Sequence, residues 1–287
     1  MAAGENRPGN PGLPAGLLRL ARLRLALLNG AAALAGYLLF PADSALLTGC
    51  AVFMAVALMA AGGSALNQLL EVDLDRRMQR TRHRPLPAGQ LTAASAAGIG
   101  GGLAASGLVL AWTSGGMLPT LLGAGALLWY LLVYTPLKRR SAFALLAGAI
   151  CGALPPLIGW CVAGGQPDDY RIMLLAGLLY LWQIPHFWLF QRRHAEDYRS
   201  AGIPVVSCRY SGDSTALFCR LWIAALLTGV VLLPAVGIID HSYAAWYAVL
   251  PLSLLLLSFA RHESVLFHGL NLFPVMLAIF FLIQKIS

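Results

Sequence analysis

The sequence predicts an all-α polytopic membrane protein of nine transmembrane helices, amino terminus inside and carboxy terminus outside. Three observations predict it. The 287 residues are 59% hydrophobic and 11% charged, where a soluble domain runs at roughly 45–50% and 25%. Uncharged stretches recur from end to end, each about long enough to cross a ~30 Å hydrocarbon core as helix. The Lys and Arg residues gather in alternate connections between them.

The first and shortest candidate span is Leu25–Phe40, preceded by Arg19, Arg22 and Arg24. Basic residues before an apolar run can also open a signal peptide. The run is long, however, and "YLLFPADS" offers no convincing small-residue cleavage site, so a retained helix is expected. Residues 1–16 read as a cytoplasmic tail and 17–287 as one transmembrane domain, since no linker or low-complexity tract interrupts the chain. Ser44–Leu70 is the second span. Pro85–Leu137 carries no charge over 53 residues and is long enough to cross twice, broken at the turn-like "TSGGMLP". These third and fourth helices are rich in Gly, Ala and Ser, which lets helix backbones approach closely in lipid. Ser141–Pro167, Ile172–Gln191, Leu221–Ile239, Ser242–Ala260 and Ser264–Gln284 follow as spans five to nine.

Orientation comes from charge. With the amino terminus inside, connections near 76–84, 138–140, 192–214 and 261–263 are cytoplasmic. Of the 20 Lys and Arg residues, all but Arg171 and Lys285 then lie on that side, as the positive-inside bias requires. The net charge of +8 therefore reports topology rather than nucleic-acid binding. The five cysteines form no CxxC pair, which argues against a disulfide frame or a zinc site.

Against this apolar background, "EVDLDRRMQRTRHR" (Glu71–Arg84) packs three carboxylates and five arginines into fourteen residues. Positive-inside bias accounts for arginines such as Arg77 and Arg82. It does not account for the acids, which contribute little to topology. Asn67, Glu71 and Asp75 are spaced i, i+4, i+8 and line one helix face, with a drift of only about 80°. Asp73 points away from that stripe. An amide and two carboxylates in a row form an oxygen array suited to Mg²⁺, which keeps several waters and is usually completed by substrate phosphates. The neighbouring arginines are donors suited to phosphate oxygens.

A second acidic stretch follows the sixth span, in "WQIPHFWLFQRRHAEDYRSAGIPVVS" (Trp182–Ser207), where Arg193 and Asp197 are one helical turn apart. His186 lies inside the span, and an ionisable residue there is a functional candidate by default, with a helix–helix hydrogen bond as its structural alternative. A third piece is "YTPLKRRS": Tyr134 and Lys138 are i, i+4, with Arg139 and Arg140 after them. Lys138 could neutralise a leaving diphosphate while Tyr134 faces the reactive carbon. An aromatic-belt tyrosine followed by a basic stop is the plainer reading of the same residues.

Together these three stretches resemble the UbiA-type intramembrane aromatic prenyltransferase superfamily. "DLDRRMQRTRHRPLPAG", "YTPLKRRS", "GALPPLIGW" and "WQIPHFW…DYRSAGIP" resemble, within it, the branch that farnesylates haem. The match runs from about Asn67 to Pro204. Three departures stand out: Glu71 replaces the superfamily's usual Asp, Arg193 replaces a first Asp in the second motif, and Ser207 replaces a Pro common in this branch. The resemblance implies a helical bundle around a cytoplasm-facing cavity in the cell's inner (plasma) membrane, with farnesyl diphosphate and protohaem IX as substrates and Mg²⁺ as cofactor. It implies that Asn67, Glu71, Asp75 and Asp197 hold the metal. Arg80, Arg84, Lys138 and Arg139 would take up the diphosphate charge, with Tyr134, Lys138, Asp75 and Asp197 as the catalytic set. His186 is the haem candidate. A haem a synthase or terminal oxidase is the assembly partner this reading raises.

Two other functions compete. A prenyltransferase for another aromatic acceptor, such as hydroxybenzoate or naphthoate, would share the metal site. A transporter would place ionisable groups near the midplane on broken helices, whereas these acids sit at helix ends.

Overall fold

The computed structural model describes residues 13–41, 45–205, 212–259 and 263–286; Ser207 lies outside them. The described residues are helical, with no strand among them. In chain order the helices are α1 (Leu13–Ala21), α2 (Leu23–Leu39), α3 (Leu46–Leu70), α4 (Val72–Arg77), α5 (Ala93–Gly115) and α6 (Met117–Leu128). A π-helical segment, Trp129–Tyr134, then runs into α7 (Thr135–Lys138). The chain continues through α8 (Ala144–Val162), α9 (Tyr170–Arg193), α10 (Ala195–Ser200), α11 (Gly212–Ala235), α12 (Ala244–Tyr247), α13 (Val249–Ser258) and α14 (Glu263–Ile286).

Seven of the described helical stretches are long and apolar enough to cross a membrane: Leu46–Leu70, Ala93–Gly115, Met117–Lys138, Ala144–Val162, Tyr170–Arg193, Leu217–Ala235 and Glu263–Lys285. Two shorter apolar helices, Leu23–Leu39 and Ala245–Leu257, stand where the first and eighth spans are expected. The protein is a multi-pass membrane protein. The expected turn in "TSGGMLP" falls at Gly116, whose φ of 76° separates α5 from α6.

Two kinds of packing hold the bundle. In its first half, helices meet backbone to backbone. A Cβ on Gly36 of α2 would strike the Pro156 carbonyl of α8, and one on Gly159 of α8 would strike the Ala33 carbonyl of α2. Each glycine makes room for the other helix, so the crossing is locked from both sides. The α3–α5 crossing works the same way: a Cβ on Gly62 would lie 2.6 Å from the Gly100 carbonyl oxygen. The second half is built from large side chains instead, with Leu175, Leu178, Leu226, Leu250 and Phe273 in one buried cluster.

The two polar connections, after α3 and after α9, share a small core of their own: Leu74 and Met78 from the first, with Tyr198, Ala201, Ile203 and Val205 from the second. This apolar clasp fixes one loop against the other at one end of the bundle. At the α1–α2 junction, Arg22 adopts a left-handed backbone (φ 48°, ψ 54°), and it is the only non-glycine residue with positive φ among those described. For such a residue that conformation costs on the order of 1–3 kcal/mol and persists only where its surroundings enforce it.

Candidate active site

Helix α3 stops at Leu70, and Glu71 leaves the helical region (φ −113°, ψ 15°) before α4 resumes. The backbone ladder nevertheless continues: Glu71 N donates to the Asn67 carbonyl at 3.0 Å and Asp75 N to the Glu71 carbonyl at 2.8 Å. Asn67, Glu71 and Asp75 therefore remain on one wall, and all three are buried. Asp73 turns outward and pairs with Arg139, with oxygen–nitrogen distances of 2.9 Å.

Both buried carboxylates are matched by a side-chain cation. Lys138 Nζ lies 3.0 and 2.9 Å from the two Glu71 oxygens, and Asn67 Nδ2 donates to the same carboxylate at 3.0 Å. Asn67 is oriented in turn by Thr135, whose hydroxyl donates to its side-chain oxygen at 2.7 Å. One guanidinium nitrogen of Arg84 lies 3.0 and 2.8 Å from the two Asp75 oxygens. An unpaired carboxylate buried here would cost several kcal/mol, and the two cation pairs offset that cost beside an apolar space. Burial lowers the Arg84 pKa, with Asp75 pulling it back up.

Asp197 is held differently. Its Oδ1 accepts from the backbone N–H of Gln79 at 2.9 Å and its Oδ2 from that of Arg80 at 3.4 Å, with Arg80 Nε 3.7 Å away. The Arg80 guanidinium is also set over the rings of Phe190 (5.2 Å) and Tyr198 (5.4 Å).

Asn67, Glu71, Asp75, Arg80, Arg84 and Lys138 line one end of a cavity of about 340 Å³, within the common range of roughly 300–1,000 Å³ for small-molecule sites. Its deeper walls are apolar, with Val56, Met59, Leu127 and Ile158. Tyr130 and Tyr134 line it as a stacked pair, ring centroids 5.7 Å apart. His186 also lines it, its ring stacked between Trp182 (5.1 Å) and Phe267 (5.2 Å), with a buried Nδ1 that has no hydrogen-bond partner.

Of the residues singled out from sequence, Asn67, Glu71, Asp75, Arg80, Arg84, Tyr134, Lys138 and His186 share this cavity. Arg139 and Asp197 are not among its lining residues. Arg139 is expected at the diphosphate but turns to the outer side, because Asp73 and the Leu70 carbonyl take its guanidinium. Asp197 serves the loop backbone at the cavity's rim. Among the described residues no three His, Cys, Asp or Glu side chains converge as a metal cage. The oxygen donors of Glu71, Asp75 and Asn67 do suit Mg²⁺, which takes only part of its shell from protein.

Several lining residues escaped the sequence reading. Arg22 at the α1–α2 junction and Leu25 and Asn29 of α2 line the cavity; the i, i+4 spacing of Leu25 and Asn29 could have flagged those two. Tyr130 continues the Tyr134–Lys138 spacing one step back. Gln183 stood in plain view as an amide in an apolar span; its Nε2 donates to the Ala149 and Leu179 carbonyls at 3.2 and 3.0 Å.

The UbiA prenyltransferase family model matches residues 25–268. A protein named protoheme IX farnesyltransferase from Geobacter sulfurreducens is 54% identical over 93% of this chain and 98% of its own length. One of the same name from Anaeromyxobacter sp. is 36% identical over 90% of this chain and 87% of its own. Among solved structures, an apo UbiA homologue from Aeropyrum pernix superposes with a TM-score of 0.77 at 18% identity, covering 93% of this chain and 99% of that one. A UbiA homologue from Archaeoglobus fulgidus, bound to GPP and Mg²⁺, gives 0.72 at 14% identity, covering 95% of this chain and 100% of that one. With its acid-and-cation wall opening on an apolar cavity, and with a family match spanning most of its length, the chain belongs to the UbiA prenyltransferase family.

Proposed function

We propose that the chain transfers the farnesyl group of farnesyl diphosphate to a vinyl group of protohaem IX, with addition of water, giving haem o and diphosphate. The observation that carries this reading is the 54% identity, over nearly the whole length of both chains, to the Geobacter protein of that name. The cavity supports it through the way its charges are paired.

In the absence of substrate, Lys138 neutralises Glu71 and Arg84 neutralises Asp75. A diphosphate entering the polar end offers both cations stronger acceptors, and the carboxylates are freed to face a divalent ion. Magnesium, when bound through Glu71 and Asp75, with Asn67 as a further candidate ligand, supplies positive charge to the leaving diphosphate. Lys138, Arg84 and Arg80 stabilise the charge that develops as the C–O bond of farnesyl diphosphate breaks and the electron pair leaves with diphosphate. The π faces of Tyr134 and Tyr130 flank the resulting allylic cation, while the apolar walls exclude water from it. The vinyl π electrons form the new C–C bond. Water captures the second cation and releases a proton.

His186 is the proposed contact to the porphyrin, supported by its unpartnered Nδ1 and by the two rings that hold its plane. His186→Ala is expected to lower haem retention while farnesyl diphosphate affinity stays near wild type. A lowered melting temperature with unchanged haem content would leave it a packing residue.

The deciding assay combines membranes, protohaem, farnesyl diphosphate and Mg²⁺, with pigments separated by chromatography. A farnesylated haem that vanishes on chelation is the expected result. Prenylation of hydroxybenzoate or naphthoate with haem left untouched would favour the rival acceptor class.

We read the two shorter apolar helices as completing nine spans around a cytoplasm-facing site in the inner (plasma) membrane, with residues 17–287 as one domain after a cytoplasmic tail. A reporter active only in the cytoplasm should be on after Arg140 and off at Asp168 or the carboxy terminus; the reverse pattern would invert the topology.

A further inference from the structure

Arg22 is the one cation lining the cavity that has no carboxylate partner among the described residues. Lys138 is taken by Glu71, Arg84 by Asp75 and Arg80 by Asp197, while Arg22 lines the same cavity with no ion pair of its own. The acids of the site are thus already matched, and Arg22 leaves it with a surplus positive charge.

Its backbone reinforces the point. A left-handed turn between two helices suits glycine or asparagine, yet an arginine occupies this one. The turn is pinned on both sides. The Leu20 side chain is fully buried among Ala65, Leu86 and Ala96. Its carbonyl accepts from Gln68 Nε2 at 2.6 Å, and Gln68 is itself fully buried in α3. On the far side Ala26 is buried, and Gly30 brings α2 against the Phe53 carbonyl. Between these anchors the chain delivers residue 22 to the cavity, in line with Leu25 and Asn29. Arg24, two positions on, is exposed and would serve a positive-inside role as well. Topology therefore does not require a basic side chain at the strained position.

We propose that Arg22 is the receiving cation for a substrate oxyanion, either the diphosphate of the prenyl donor or a carboxylate arm of the acceptor. An incoming anion finds Lys138 and Arg84 already engaged, and the guanidinium of Arg22 is free to meet it with two parallel N–H donors. This deepens the prenyl-transfer reading and rests on it.

The test uses the purified full-length chain in detergent, as wild type, Arg22→Lys, Arg22→Gln and Arg22→Gly. Affinity is measured for farnesyl diphosphate with Mg²⁺, for protohaem, and for protohaem dimethyl ester, which lacks the carboxylate charges; melting temperature is followed alongside. Gln and Gly should weaken one ligand by about tenfold to a hundredfold, the loss expected for one charge-assisted hydrogen-bonded contact, and Lys should weaken it less. A loss confined to farnesyl diphosphate assigns the diphosphate. A loss for protohaem that is absent with its ester assigns the carboxylate. Arg22→Gly keeps the left-handed turn at lower strain, so it guards against a folding artefact. Wild-type affinity for every ligand in that variant, with a raised melting temperature, would overturn the proposal, and so would equal losses for protohaem and its ester. If the wild type binds farnesyl diphosphate but leaves protohaem unconverted, the haem reading fails, while the diphosphate measurement still decides the role of Arg22.

Discussion

The two acidic motifs look alike in sequence and are held in opposite ways. Glu71 and Asp75 are paired with side chains, Lys138 and Arg84, on flexible stems. Asp197 is paired with backbone, the N–H groups of Gln79 and Arg80. A side-chain cation can trade a carboxylate for a phosphate by a rotamer change. A backbone N–H moves only with its loop. The first motif is thus built for exchange, and the second is built to keep the two polar connections together and Arg80 aimed. An acidic residue near a site is not a ligand by type alone; what neutralises it in the resting protein says whether it is available.

The largest effect that tests this contrast is expected from Asp75→Asn. Losing this carboxylate should lower farnesyl transfer by about 10²–10³-fold, the scale seen when one charge-stabilising group is removed from an active site. Chromatographic yield of farnesylated haem reads it, against protein quantified by a monodisperse peak. Activity within a fewfold of wild type would remove Asp75 from the exchange. Asp197→Asn should act mainly on stability. It keeps one acceptor oxygen but loses the charge that holds Gln79 and Arg80, at a cost of roughly 1–3 kcal/mol. Rate should fall less than with Asp75→Asn, and melting temperature more. A dead enzyme with an unchanged melting temperature would make Asp197 a ligand like the others and erase the contrast.

The smallest effect belongs to the Asp73–Arg139 pair, which is half-exposed and worth about 0–1 kcal/mol. Arg139→Gln should change the rate less than about twofold, as fits a surface pair. The pair still leaves a trace in pH. The hydrogen bond from Arg139 is the main reason the Asp73 pKa lies below its usual 3.8. Its small stabilisation is therefore fully present above pH 3.8 and is lost as pH falls through the depressed folded value. Acid unfolding curves of wild type and Arg139→Gln should converge at low pH. A gap that widens on acidification would contradict the assignment.

How much of this was legible beforehand follows the reach of the interactions. Local periodicity wrote the Asn67–Glu71–Asp75 wall and the outward turn of Asp73 directly into the chain, and the stripe survives even the break at Glu71. The uncharged stretches likewise foretold where helices run. The pairing of Lys138 with Glu71 spans 67 positions and that of Asp197 with the Gln79 backbone spans 118. No spacing rule encodes such contacts; they arise when the bundle packs. The sequence pattern groups Arg139 with its neighbour Lys138, but one residue along a helix turns a side chain by about 100°, and that is enough to send it to Asp73 instead. Arg22 was absorbed into the topology signal because a left-handed turn leaves no mark in composition.

The π-helical segment Trp129–Tyr134 has a bearing on how this protein tolerates change. Its wider turn lets Tyr130, Tyr134 and Lys138 reach the same cavity, and the Thr135 backbone N–H closes it by donating to the Tyr130 carbonyl. Such segments equal one residue inserted into an α-helix. Deleting a single residue there would restore ordinary winding, leave hydrophobicity and span length almost untouched, and rotate everything downstream by about 100°. Lys138 would swing away from Glu71 in a chain that still inserts and folds. Descendants of this gene can therefore exchange outward-facing apolar letters such as Leu121, Leu128 and Leu132 along Met117–Lys138, but they cannot lose one: the reading length, more than the spelling, is under constraint.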